Sequence, residues 1–236
     1  MKKILMIFIL IALLMPGLVL AEATDQTQPI TVACLGDSIT FGAGVKGKEN
    51  TYPAMLQVLL GNDFVVKNCG ENGRTLQREG MLNGPDAAFN FFPMTYWDSK
   101  VMNNAIAAQP DIVIIMLGTN DAKQYNWNAE RYTDEYIELV QLFQGMECVS
   151  QVCVMIPPPV FELQEGMADD EIDRNVISQE LKTCIQNVAA ATGCPVIDLF
   201  QPFVSRADLF PDCVHPNKDG NKLIAETVYT AICDQD

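Results

Sequence analysis

Short apolar runs alternate along this chain with stretches in which apolar residues recur every three or four positions. The runs fall at 30–35, 64–66, 112–117, 152–156 and 196–197. They do not alternate with polar residues, which is the pattern of strands covered on both faces. Helical periodicity occupies 52–60, 98–108, 129–143, 170–191 and 218–232. Strand–helix alternation of this kind predicts a five-stranded parallel sheet. Right-handed crossovers lay helices on both sides of it, so the expected α/β fold is a three-layer α/β/α sandwich. Ligands bind such sheets beyond the carboxyl ends of the strands. The polar clusters sit there: Asp37-Ser38 after the first strand, Asn68 to Gly73 after the second, and Gly118-Thr119-Asn120-Asp121 after the third.

The N-terminus breaks the pattern. Met1-Lys2-Lys3 precedes an apolar stretch from Ile4 to Leu20, with Ala21 and Ala23 behind it. A basic head, an apolar body and a small-residue exit predict a secretory signal peptide over 1–23. Pro16-Gly17 and the Ala exit favour cleavage, after Ala21 or Ala23, over a retained membrane anchor. The expected destination is secreted or periplasmic, with no stable membrane insertion after cleavage. Residues 24–236, about 213 in number, suit one domain with a substantial core.

Charge and cysteine content narrow the partners. The formal net charge is −15 and no basic run exists, which disfavours nucleic acid and anionic lipid. Eight cysteines in an exported chain permit disulfides. Cys148–Cys153 and Cys184–Cys194 are close enough in sequence to pair, whereas Cys34 and Cys69 end apolar runs and read as buried thiols. One histidine and no Cys-x-x-Cys leave no metal-ligand cluster. Two insert-like stretches, 80–97 and 122–132, carry aromatics among Asn, Gln and Asp and could wall a cleft. Packing by their own aromatics is the competing reading.

The single histidine, His215, stands in Asp212-Cys213-Val214-His215-Pro216. Imidazole is the one side chain that ordinarily titrates near neutrality, and so is the usual base for a serine hydroxyl. A serine after the first strand with Asp-x-x-His near the C-terminus is the parts list of a serine hydrolase. Gly42-Ala43-Gly44-Val45-Lys46-Gly47 also matches a dinucleotide-binding pattern. That loop must open a helix directly after a strand, and here six residues intervene, with Pro53 just beyond, so a dehydrogenase is disfavoured.

Gly36-Asp37-Ser38-Ile39-Thr40-Phe41-Gly42 resembles the first block of the SGNH hydrolases, the GDSL esterase family. Asn68-Cys69-Gly70-Glu71-Asn72-Gly73 resembles the second, with Asn72 where Ser is commoner. Gly118-Thr119-Asn120-Asp121 and Asp212-x-x-His215-Pro216 resemble the third and fifth. The resemblance implies a flavodoxin-like SGNH hydrolase fold and a serine esterase without cofactor or metal. It implies a catalytic set of Ser38, Asp212 and His215, and an oxyanion hole of Ser38, Gly73 and Asn120. Asp37 and Trp127 are expected at the substrate, although Asp37 and Asp121 also read as loop-fixing hydrogen bonders. The general look is similar to bacterial carbohydrate and sialate O-acetylesterase-like members, so a glycan or small-molecule acetyl ester is the expected substrate. A lipid-directed lysophospholipase or thioesterase, with Phe89, Phe91, Phe92 and Met94 as acyl pocket, stays open, as does an inactive SGNH-like binding module. Oligomeric state is not legible.

Overall fold

The computed structural model describes residues 28–79, 94–162 and 172–233. The signal-peptide expectation and the start of the helix expected at 170–191 therefore lie outside the described residues, as do positions 80–93. Among the described residues, no helix is long and apolar enough to cross a membrane.

Five strands form one sheet: β1 (Ile30–Gly36), β2 (Phe64–Gly70), β3 (Ile112–Met116), β4 (Gln151–Ile156) and β5 (Val196–Asp198). Their order is β2-β1-β3-β4-β5, and every pair is parallel. The longer helices are α2 (Tyr52–Leu60), α3 (Lys100–Ala107), α4 (Ala129–Gln144), α5 (Leu181–Thr192) and α7 (Lys218–Cys233), with short α1 (Ser38–Phe41) and α6 (Phe200–Phe203).

Each central strand buries both faces, and alternate residues serve different cores. Ala33, Leu35, Val113, Ile115, Val152 and Val154 pack under α3, α4 and α5. Val32, Cys34, Ile114, Met116, Cys153 and Met155 pack under α2 and α7. Burial on both sides is why the strands read as apolar runs without polar alternation, and it makes the three-layer sandwich expected above.

Two elements depart from the sequence pattern. β2 runs on to Gly70, because its backbone stays in register with β1 through Gly36 opposite Gly70 although Lys67 and Asn68 are exposed. The helix leading into α5 contains a π-helical turn, Val176–Glu180.

Neither expected disulfide exists: Cys148, Cys153, Cys184 and Cys194 are all thiols. Cys184 lies on α5 and Cys194 beyond its C-terminus, so about eight residues of helix at roughly 1.5 Å each hold them apart, well past bridging distance. The Cys153 side chain belongs to the buried cluster under α2 and α7, whereas Met146 and Val149, to either side of Cys148, pack against the opposite cluster.

Candidate active site

The exit of β1 places the serine. Asp37 caps α1, its Oδ1 accepting the Ile39 N–H at 2.9 Å, and Ser38 is the first residue of the helix. A first-turn N–H has no intrahelical acceptor, so the Ser38 N–H is available. Gly36 is obligatory here, since a Cβ would strike the Thr40 side chain and the Met116 carbonyl.

The loop before α7 brings the acid–base pair to Ser38. His215 Nε2 lies 2.7 Å from Ser38 Oγ, and His215 Nδ1 lies 2.7 Å from Asp212 Oδ2. Asp212 Oδ1 accepts the backbone N–H of His215 at 2.6 Å and of Val214 at 3.1 Å. Partial burial pushes the Asp212 carboxyl up, but those two N–H groups and the imidazole outweigh it, so its pKa falls below the ordinary carboxylate value. The pair therefore has a carboxylate fixed on Nδ1 and a serine hydroxyl on Nε2. That arrangement can move the hydroxyl proton onto the ring and stabilise the imidazolium that results.

The β4 exit and Gly44 hold this loop in place. Cys213 takes φ +66°, a left-handed conformation costing about 1–2 kcal/mol for a non-glycine residue. The Phe161 N–H donates to the Cys213 carbonyl at 2.9 Å, and Cys213 Sγ to the Glu162 carbonyl at 3.2 Å, clamping it from the β4 exit. Gly44 lies against His215 and Pro216, where a Cβ would meet the Pro216 carbonyl and His215 Cβ. The Gly-x-Gly that mimicked a dinucleotide loop thus seats the histidine.

The third group of residues comes from the β2 and β3 exits. Gly73 has φ +74°, and the segment before it is anchored to β1 by the Glu71 N–H donating to the Gly36 carbonyl at 3.1 Å. Asn120 Nδ2 donates to the carbonyl of Arg74, the neighbour of Gly73, at 3.0 Å. An amide has two N–H groups, so one bond leaves the other for a ligand. Asp121 ties the two exits together. It accepts the Leu76 N–H at 2.9 Å, the Gln77 N–H at 2.8 Å and Gln77 Nε2 at 3.3 Å. Gln77 Nε2 also donates to the Asn126 carbonyl, and Asn126 Nδ2 to the Asn120 carbonyl.

Two buried carboxylates stand behind this arrangement. Burial pushes Asp121 up to about 7 despite its N–H donors, and the nearby Asp37 charge adds to the rise. Burial likewise pushes Asp37 up to about 6, against the opposing pull of the Ile39 N–H and of His215. Asp37 Oδ2 and Thr119 Oγ1 are both buried without a well-formed hydrogen bond, yet the hydroxyl is near enough to ease the carboxylate charge.

Ser38, Asp212 and His215 meet by direct hydrogen bonds, and Gly73 and Asn120 adjoin each other through Arg74. Asp37 corrects an expectation: at 0% exposure it cannot touch a substrate, because it serves as the buried cap of α1. Trp127 is half-buried, its ring 5.3 Å from that of Tyr132 and its Nε1–H given to Glu180 Oε2 at 2.8 Å. The described end of the 80–97 insert packs inward, with Tyr96 Oη donating to the Cys69 carbonyl and Trp97 Nε1 to the Leu76 carbonyl. Arg74, Gln77, Asn126 and Thr119 carried no signal in the sequence, since each is an ordinary polar residue in a loop.

A family model for the GDSL-like lipase/acylhydrolase family matches residues 34–223. A protein named acetylxylan esterase from Xylanibacter ruminicola is 32% identical over 230 positions, covering 88% of this chain. The chain spans only 44% of that relative's length. Among solved structures, a carbohydrate acetylesterase family member from Sinorhizobium meliloti aligns with TM-score 0.65 at 22% identity, covering 86% of this chain and 97% of that one. The M. smegmatis aryl esterase aligns with TM-score 0.66 at 20% identity, covering 87% and 99%. These likenesses concern the fold. With four sequence blocks, the sheet order and the Ser38–His215–Asp212 contacts in agreement with a match across most of its length, the chain belongs to the GDSL-like lipase/acylhydrolase family.

Proposed function

We propose that this protein is an exported serine esterase that removes acetyl groups from carbohydrates through an acyl-enzyme on Ser38. The hydrogen-bonded chain from Ser38 Oγ through His215 to Asp212 carries the reading. The relative named acetylxylan esterase supports the substrate class. In the acylation step His215 Nε2 takes the Ser38 proton as Oγ attacks the acetyl carbonyl. The oxyanion of the tetrahedral intermediate is met by the N–H groups of Ser38 and Gly73 and by the Asn120 amide. Collapse breaks the bond to the sugar oxygen, which takes the proton from His215. Water, deprotonated by the same ring, then releases acetate and restores Ser38.

A p-nitrophenyl ester series from acetyl to octanoyl, with acetate release from acetylated xylan, tests this. Rates should fall steeply as the acyl chain lengthens, and acetate should appear from the polysaccharide. Rates climbing with chain length, each buried methylene contributing up to about 0.8 kcal/mol, would replace this reading with a lipid-directed esterase.

A further inference from the structure

The carboxyl edge of the sheet holds a second concave feature. A cavity of about 490 Å³, within the range of about 300–1,000 Å³ common for small-molecule sites, lies past the ends of β4 and β5. Pro159 and Val160 of the β4 exit and Phe200 at the start of α6 line one side, and Arg174, Asn175 and Ser178 line the other.

Both loops of the active site are tied by hydrogen bonds to the segments that form it. On one flank, the β4 exit is joined to the histidine loop by the Phe161 N–H to Cys213 carbonyl bond and by Cys213 Sγ to the Glu162 carbonyl. On the other, the Asp173 N–H donates to the Ala122 carbonyl at 2.9 Å, and Lys123 bridges Ile172, two and three residues after Asn120. Ser178 belongs to the π-helical turn Val176–Glu180, a rare widening that collects at functional sites.

The lining chemistry is that of a hydroxylated ring. Val160 and Phe200 supply apolar surface, while Arg174, Asn175 and Ser178 supply hydrogen-bonding groups. The Arg174–Glu162 ion pair spans 3.9 Å, beyond hydrogen-bond length, so it does not lock the guanidinium. A sugar presents a C–H face and several hydroxyls, which this division matches; a fatty chain would leave the polar side unmatched.

We propose that the cavity holds a second sugar unit of an acetylated oligosaccharide, adjacent to the unit whose acetyl group is presented to Ser38. The proposal rests on the carbohydrate reading above. It makes the enzyme select acetylated oligomers over single acetylated sugars.

The test compares p-nitrophenyl acetate, acetylated xylose and acetylated xylotetraose as substrates. The proteins are the wild type, an R174A/N175A double variant at exposed positions, and Ser178→Phe, which fills the cavity. The wild type should hydrolyse the tetraose with a higher kcat/KM than the single sugar. Both variants should lower kcat/KM for the tetraose by about tenfold, through KM, as expected from losing one or two hydrogen bonds to a neutral ligand. Activity on p-nitrophenyl acetate and acetylated xylose should stay within about twofold of wild type. Variants that leave the tetraose unaffected, or lower all three substrates alike, would overturn the cavity's role alone. A wild type that cleaves p-nitrophenyl acetate but neither saccharide would overturn the carbohydrate reading, and this proposal with it.

Discussion

The acid–base side of the site and the oxyanion side are built on different length scales. Asp212 and His215 lie three residues apart and hold each other with two short bonds inside one loop. Their side chains are 53% and 24% exposed. Asn120 and Asp121 reach across 44 to 46 positions to the loop that carries Gly73, and Asp121 is fully buried. A local, wet pair can be placed by a single turn. A buried, long-range arrangement needs the whole sheet to bring two strand exits side by side. It also leaves a carboxylate where burial works against its charge.

Removing the residues on which the two sides meet should have the largest effect. Ser38→Ala and His215→Ala should each leave a folded protein with kcat/KM reduced at least about a thousandfold, and the double variant should be little worse than either single one. Either single variant keeping a tenth of wild-type activity, with its circular dichroism intact, would break the assignment.

A smaller loss should follow on the oxyanion side. Asn120→Ala should lower kcat by about a hundredfold while KM changes little, because the oxyanion is fully formed only in the transition state. Steady-state kinetics on p-nitrophenyl acetate separates this from a KM effect, which would make Asn120 a ground-state contact or a strut for Arg74.

The least effect on turnover, and the clearest on stability, should come from Asp121→Asn. The folded pKa of Asp121, about 7, stands above the ordinary value of 3.8, so the folded state holds that proton more tightly than the unfolded chain. The stability this contributes is fully present below about pH 4 and is lost as pH rises through about 7. Asparagine does not titrate. The wild type should therefore lose stability relative to Asp121→Asn between those limits, by on the order of 3–4 kcal/mol. Urea unfolding of both proteins at pH 4.5 and 7.5 measures it; parallel stabilities would show that burial does not perturb this carboxyl.

The same division of scale separates what was legible in the sequence from what was not. Apolar runs at 30–35 and 112–117 announce strands buried on both faces, since a central parallel sheet takes most of their side chains out of water. Asp212-x-x-His215 announces an acid–base pair, since a separation of three residues lets one turn support both side chains. Gly73 is specified locally too, by its positive φ, whereas Gly36 is required in part by the Met116 carbonyl of a neighbouring strand. Tertiary structure alone decided the rest. Asp37 was expected to meet substrate, but packing of β1 and β3 exits sealed it behind Ser38 as a helix cap. Gln77, Asn126 and Thr119 gained their roles only when distant loops converged. The cysteines read as disulfide partners by spacing, yet a helix length and a strand face keep them apart. Periodicity and short-range motifs act through bonds and turns that a linear string contains. Which buried polar groups end up satisfied, and at what cost to their charge, depends on neighbours that only the assembled sheet supplies.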